Sequence, residues 1–322
     1  GLAFLSICAF WQMYDSIVPL ILTKTFHMNE TFSGAIMAAD NVLALFLLPF
    51  FGALSDRTST KIGRRMPFIL GGTAAAVILM NLLPLFDNGY ANGASTGKLA
   101  MFVVTLGLLL VAMGTYRSPA VALMPDVTPK PLRSKANAVI NLMGSAGGII
   151  VLALGMVFAT ASVSNSMMSY TGYFGVIAAL MLAALVVFML TVREPEWAKE
   201  MQAQSVAAGV ENAEEAAHPN EGRKLSADEV KSLLLILLSI VLWFFGYNAV
   251  TSKYSVYASN ILHKDYNLTL IIAQAAAIAA YLPVGFIAGK IGRKKTILAG
   301  VVMLTVAFGV AGFLTADSPS AL

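Results

Sequence analysis

Pro49-Phe50-Phe51-Gly52-Ala53-Leu54-Ser55-Asp56-Arg57-Thr58-Ser59-Thr60-Lys61-Ile62-Gly63-Arg64-Arg65-Met66-Pro67 is a short charged turn between two apolar runs, each long enough to cross a bilayer. Arg57, Lys61, Arg64 and Arg65 keep the turn out of hydrocarbon, and short Lys/Arg-rich loops stay on the cytoplasmic side. The stretch therefore sets both class and orientation. It returns as Pro283-Val284-Gly285-Phe286-Ile287-Ala288-Gly289-Lys290-Ile291-Gly292-Arg293-Lys294-Lys295. Ile62-Gly63-Arg64-Arg65 aligns with Ile291-Gly292-Arg293-Lys294, and Gly71 with Gly300. Two such turns in one chain point to two homologous halves.

The composition agrees. The chain has 322 residues, 58% hydrophobic and 12% charged, with a mean hydropathy of +0.76. Soluble chains average about 25% charged residues, so an all-α, polytopic membrane protein is expected. The net charge of +4 resides in loops rather than on one face, which reads as membrane topology and not as nucleic-acid binding. Cys8 is the single cysteine, so no disulfide forms within the chain. His27, His218 and His263 fall outside the expected spans. No metal centre, no cofactor and no nucleophile–base arrangement is expected, hence no enzyme. The chain starts at Gly1 within an apolar segment and stops at Leu322 just past another, and it reads as a fragment without a cleavable signal peptide.

Apolar runs of about 20 residues mark the spans: 1–22, 33–53, 67–86, 99–122, 136–160, 171–191, 230–250, 268–288 and 296–315. With the 54–66 turn inside, sixteen of the 21 Lys and Arg residues are cytoplasmic, Lys24, Lys98, Lys253 and Lys264 are outside, and Arg117 lies within a span. That bias places the N-terminal end and the 193–229 stretch in the cytoplasm. Residues 1–192 read as a six-helix bundle and 193–229 as an acidic linker with a surface helix near 196–216. Ser226-Ala227-Asp228-Glu229 opens span 7 as a capping box. Residues 230–322 read as the first three spans of a second bundle. Parallel six-helix repeats of this kind build many secondary transporters.

Ionisable residues inside spans are functional candidates because each costs about 2.5–3.5 kcal/mol to insert. Asp15, in Trp11-Gln12-Met13-Tyr14-Asp15-Ser16, and Asp40 each lie near the outer end of a span, roughly 10 Å below the surface at 1.5 Å per residue. Two carboxylates sharing a low-dielectric site do not both ionise readily, which is the property a proton-coupling site needs. Arg117, near the inner end of span 4, keeps its charge and needs a partner. Gln12, Tyr14, Asn41, Asn81, Asn141, Tyr247 and Asn248 are candidates to line a polyol site, few polar groups in an apolar pocket. Gly144-Ser145-Ala146-Gly147-Gly148 reads as close helix packing.

At this point the residues resemble a family. The turn with Gly52, Asp56, Arg57, Gly63, Arg64 and Arg65 is similar to the loop between spans 2 and 3 of the major facilitator superfamily. Its longer form, running to Pro67-Phe68-Ile69, resembles the plant sucrose transporters and the related glycoside–pentoside–hexuronide:cation symporters. So does Arg117-Ser118-Pro119-Ala120-Val121-Ala122-Leu123-Met124-Pro125-Asp126, followed by Arg133-Ser134-Lys135-Ala136-Asn137.

The resemblance implies a six-plus-six fold and uptake of a sugar, a disaccharide or glycoside, driven by a proton gradient through alternating access. It also implies a plasma-membrane location and a monomer in the lipid bilayer. Asp56, Arg57 and Arg133 would form a cytoplasmic charge cluster that holds the bundles outward-open. Melibiose-type sodium symporters carry carboxylates where this chain has Ala44 and Leu48, which favours H+ over Na+. The Gly144–Gly148 stretch lacks the proline of drug–proton antiporters. The alternatives are export of a drug or metabolite, or a lipid-handling, non-transporting member of the same fold.

Overall fold

The computed structural model describes residues 1–129, 132–161, 169–207 and 226–314. Six long helices come first: α1 (Leu2–Leu20), α2 (Glu30–Arg57), α3 (Met66–Ala91), α4 (Thr96–Asp126), α5 (Arg133–Val157) and α6 (Thr171–Thr191). A shorter α7 (Glu194–Ala207) follows. Then come α8 (Ala227–Thr251), the single turn α9 (Tyr254–Tyr257), α10 (Tyr266–Ile291) and α11 (Arg293–Ala311). Two π segments, Ile21–Thr25 and Ala258–Leu262, extend α1 and α9. Among the described residues, eight helices are long and apolar enough to cross a membrane, and α10 adds the apolar stretch Tyr266–Tyr281. The chain is an integral, multi-pass membrane protein.

α1 is apolar on most of its surface, with Gln12 and Asp15 as exceptions, and such a helix is enclosed by its neighbours. Accordingly Phe10, Met13, Ile17 and Val18 have no exposed surface. α1 packs on α5, α6 and α4, while α3 packs on α4 and α6. With no hydrophobic gain to be had inside lipid, close backbone approach and cross-helix hydrogen bonds hold such a bundle. Gly147 of α5 lies against the Leu5 carbonyl of α1, where any Cβ would collide with backbone. The buried Tyr116 hydroxyl donates to the Ala3 carbonyl (2.7 Å), and Tyr173 donates to the Val151 carbonyl (3.2 Å).

α2, α3, α4, α8 and α10 outrun the apolar runs that announce them, because capping and turns set their ends whereas hydropathy marks only the hydrocarbon. Asn29 accepts from the Phe32 N–H (2.9 Å), starting α2 three residues before its apolar run. At α8, Ser226 and Glu229 exchange side-chain-to-backbone bonds in a capping box, as the sequence pattern predicts. α7 occupies the start of the expected linker, over Glu194–Ala207, and residues 208–225 lie outside the described residues. Measured from the observed ends, Asp15 lies ten residues before Thr25 and Asp40 ten after Glu30. Both are thus roughly 15 Å along the helix axis from those ends at 1.5 Å per residue. Asp87, one residue beyond the third apolar run, is within α3 and 2% exposed. It is a further buried carboxylate that hydropathy alone misses.

The later helices meet the first six at three places, α9 packing on α1. α8 packs on α2, and α10 packs on α5. Their other faces present apolar side chains such as Leu234, Leu242 and Phe245 outward, as lipid-facing helices do.

Candidate functional site

Two polar constellations stand out, one at mid-membrane and one at the end of the bundle that carries the basic turns, called the basic end below. At mid-membrane, antiparallel α1 and α2 place Asp15 and Asp40 at equal depth, and α4 adds Arg117. The three groups lie within electrostatic reach of one another. Among the described residues no ion pair joins them; each is half-buried. The Arg117 guanidinium instead stacks over Trp11, 5.5 Å from the ring centroid, a cation–π contact that offsets part of its desolvation. Trp11, Asp40, Leu47, Gly114 and Arg117 border one small cleft. Asp40 Oδ1 accepts from the Asn41 N–H (2.6 Å).

The amides reach across to the second set of helices. Asn248 of α8 donates from Nδ2 to Asn41 Oδ1 (2.9 Å). Gln274 of α10 donates from Nε2 to Gln12 Oε1 (3.4 Å), and Gln12 donates to Ser16 Oγ (3.2 Å). Tyr247 stacks on Trp243 at 5.2 Å, within reach of Asp15. Tyr14 is enclosed in the α1 core at 1% exposure. Its hydroxyl and the Trp11 indole N–H are buried without a partner among the described residues. Asn141 is exposed on α5, and Asn81 is turned back onto its own helix, donating to the Val77 carbonyl (2.8 Å). Gln12, Asn41 and Asn248 thus share the middle of the molecule with the charged trio; Asn81 does not join them.

At the basic end the centre is Arg65, 4% exposed. Its guanidinium pairs with Asp56 (2.5 Å) and Asp126 (2.9 Å) and donates to Ser55 Oγ (2.5 Å) and the Gly52 carbonyl (3.4 Å). Five donors in a fixed fork explain how one side chain serves four acceptors. Arg64 joins Asp126 at 3.0 Å. The trio Asp56–Arg57–Arg133 implied by the resemblance is not how these charges meet. Arg57, in the last turn of α2, is exposed. Arg133 donates to the Thr128 (3.2 Å) and Pro125 (3.0 Å) carbonyls, capping the end of α4. The Arg65 cluster ties α2, α3 and α4 of the first bundle together and, among the described residues, does not bridge to α8–α11.

Glu194 of α7 completes it. Its carboxylate, 3% exposed, accepts from the backbone N–H groups of Arg64, Arg65 and Met66 at 3.0–3.1 Å. These are orphan donors at the N-terminus of α3, where the helix dipole favours an anion. Gly63 makes this seat possible: its φ is +119°, and a Cβ there would collide with the Glu194 carboxylate. Gly63→Ala is expected to destabilise the protein by about 1–2 kcal/mol from backbone strain alone, and more as Glu194 is displaced. Thermal unfolding in detergent measures this, and an unchanged midpoint would refute the docking. Sequence order conceals Glu194, since a Glu opening a helix after span 6 reads as an ordinary first-turn acid. Gln274 was within reach: the rule that singles out Asn141 applies equally to a lone amide in an alanine-rich run.

At the opposite end, Lys253 bonds Glu30 through its carboxylate (2.8 Å) and its carbonyl (2.9 Å). The Thr160 and Tyr266 hydroxyls are 2.6 Å apart, and Asn267 donates to Thr160 (3.2 Å). The two sets of helices are therefore joined at this end as well as at mid-membrane.

Comparison with known proteins places this architecture. The sucrose transport protein SUC3 of Arabidopsis thaliana is 32% identical over 159 residues, covering 45% of this chain and 26% of that protein. SUC4 of the same plant is 34% identical over 119 residues, covering 34% and 23%. The sucrose transport protein SUT3 of Oryza sativa subsp. indica is 27% identical over 152 residues, covering 44% and 30%. The matched stretch thus spans about a quarter of the length of these curated relatives. The family model of the Major Facilitator Superfamily matches residues 1–322, the whole chain, and the protein belongs to that superfamily.

Proposed function

We propose that this chain performs proton-coupled uptake of a sugar, a disaccharide or glycoside, by alternating access in the plasma membrane. The observation that carries the reading is the grouping of Asp15, Asp40 and Arg117 among α1, α2 and α4, the carboxylates ten residues from the Thr25 and Glu30 ends and Arg117 bordering the same cleft as Asp40. A carboxylate there is stable only when protonated or paired. Its proton is therefore bound and released as the surrounding helices open to one side or the other. Asp15 is the coupling group. Asp40 shares its field, and Arg117, stacked on Trp11 rather than bonded to either carboxylate, competes with the proton electrostatically. Sucrose-transport relatives supply the substrate class. The unpartnered Trp11 N–H, beside amides at Gln12 and Asn41, suits a ligand rich in hydroxyl groups.

The basic end faces the cytoplasm, since Arg57, Lys61, Arg64, Arg65, Lys290, Lys294 and Lys295 gather there. The Glu30–Lys253 and Thr160–Tyr266–Asn267 bonds then close the outer end, leaving a carrier poised towards the inside. This chemistry moves a solute unchanged, so the protein acts as a carrier, not an enzyme.

The test is external pH in weakly buffered cells expressing the complete gene, on adding sucrose, maltose, melibiose or glucose. Alkalinisation with one of them is the expected result. No change with any, despite confirmed membrane expression, would overturn proton symport; failure of sodium to restore uptake would then discard sugar as the substrate class.

A further inference from the structure

A cavity of about 220 Å3 opens at the end of the bundle opposite the basic turns, where α5 finishes and α10 begins. Its two walls differ in character. Met156 of α5, with Ala159 and Ala161 after it, makes an apolar wall. The π segment Ala258–Leu262 and the loop into α10 make a polar one, from Ser259, His263, Lys264 and Asp265.

The polar wall has bonding capacity to spare. Ser259 is 4% exposed, and its hydroxyl is buried without a partner among the described residues. Leaving such a group unpaired costs about 1–3 kcal/mol, which a ligand in the cavity would offset. The Lys264 N–H donates to the Ala258 carbonyl (3.0 Å), fixing the loop, while its ammonium has no bond or ion pair among the described residues. Asp265 Oδ1 accepts from the Asn267 N–H (2.8 Å) and so caps α10; Oδ2 remains available. The backbone is held in rare conformations on both walls. Ala159 has a φ of +53° and His263 of +51°. A left-handed residue with a Cβ costs about 1–2 kcal/mol, and such strain gathers at ligand clamps.

An ammonium, an imidazole, a hydroxyl and a carboxylate on one wall suit a ligand that carries both signs of charge. The volume is below the roughly 300–1,000 Å3 of drug-sized sites, and no aromatic ring lines it to stack on a sugar. The place is also informative. α5 ends here, so the cavity lies where an apolar helix leaves the hydrocarbon for the polar layer above it. Beside the lining residues in the chain, Val157 and Ile261 turn outward at 79% and 49% exposure, an apolar surface for acyl chains.

We propose that this cavity binds the head group of a zwitterionic phospholipid, a phosphate ester that carries a primary ammonium. The phosphate accepts from the Lys264 ammonium, the Ser259 hydroxyl and a ring N–H of His263. The ligand's ammonium donates to Asp265 Oδ2. The apolar wall takes the glycerol side. A lipid seated there links the end of α5 to the start of α10, and so joins the two sets of helices from the membrane side. The site is separate from the charged trio and does not depend on which solute is carried.

The test is native mass spectrometry of the complete protein in detergent, titrated with phosphatidylethanolamine, phosphatidylcholine or phosphatidylglycerol of the same acyl chains. The ethanolamine lipid is expected to bind about tenfold more tightly than the choline lipid, whose trimethylammonium has no N–H for Asp265. Lys264→Ala and Asp265→Asn should each remove most of that advantage; Asn still caps α10, so the fold is kept. Lys24→Ala, a lysine at the same end but outside the cavity, should leave it unchanged. Equal binding of the ethanolamine and choline lipids, binding of phosphatidylglycerol as tight as that of the ethanolamine lipid, or an advantage that survives both cavity variants would overturn the proposal. Displacement by free glycerophosphoethanolamine with equal affinity would overturn the lipid as occupant and assign the same phosphate–ammonium chemistry to a dissolved solute. Should the variants not fold, a phosphatidylethanolamine with a photoactivatable head group applied to wild type should label residues 156–161 or 259–265, and labelling only elsewhere would refute the site.

Discussion

Asp15→Asn is expected to abolish accumulation of sugar against a gradient while exchange of labelled for unlabelled sugar continues. The two side chains have nearly the same shape, so α1 keeps its place among α4, α5 and α6. The amide neither binds nor releases a proton. A carrier with this substitution can still change orientation when loaded, yet it no longer trades the proton gradient for sugar. Asp40 does not replace it, because Asp40 already accepts from the Asn41 N–H at 2.6 Å and borders the cleft under Arg117, whereas among the described residues no side-chain bond holds Asp15 in place. Counterflow and uphill uptake measured on the same vesicles separate the two activities. Wild-type accumulation by this variant would remove Asp15 from the coupling role.

Arg65→Ala is expected to have the largest effect on stability, about 3 kcal/mol. Breaking a buried ion pair by deleting one partner usually costs about 3–5 kcal/mol. The low end applies because Asp56 is 51% exposed and its stranded charge is partly hydrated. Asp126, 18% exposed, retains Arg64 but loses the inner half of its pairing. Ser55 Oγ loses its donor as well, while the Gly52 carbonyl keeps the Ser55 hydroxyl at 2.8 Å. Arg65→Lys should recover only a minor part, since an ammonium cannot reach four acceptors lying in a fork. Thermal unfolding in detergent gives the comparison, and a Lys variant as stable as wild type would show that charge alone, not geometry, holds the turn.

Much of this architecture was legible in the residues. Apolar length located the helices, and the repeated basic turn announced the family, because both follow from how poorly charge dissolves in hydrocarbon. The mid-membrane trio followed from the same cost. What stayed hidden depended on direction and distance. Among Arg57, Lys61, Arg64 and Arg65, nothing in the order of residues says that Arg65 turns inward; that is decided by the positive φ at Gly63 and the anion seated against it. That anion, Glu194, comes from about 130 residues further along the chain. Asp87 escaped because an apolar run ends at Phe86 while the helix continues to Ala91. Tyr14 looked like a pocket residue because of its hydroxyl, yet its ring fills the core of α1.

The stacking of Arg117 over Trp11 has an optical consequence. Trp197 and Trp243 are each 40% exposed, on α7 and α8. Trp11 alone of the three tryptophans has its indole inside the bundle with a cation over its face. A nearby positive charge shifts an indole's emission, so any event that moves the guanidinium, whether a proton arriving at Asp15 or a solute entering the cleft, is written into the colour of the protein's own fluorescence.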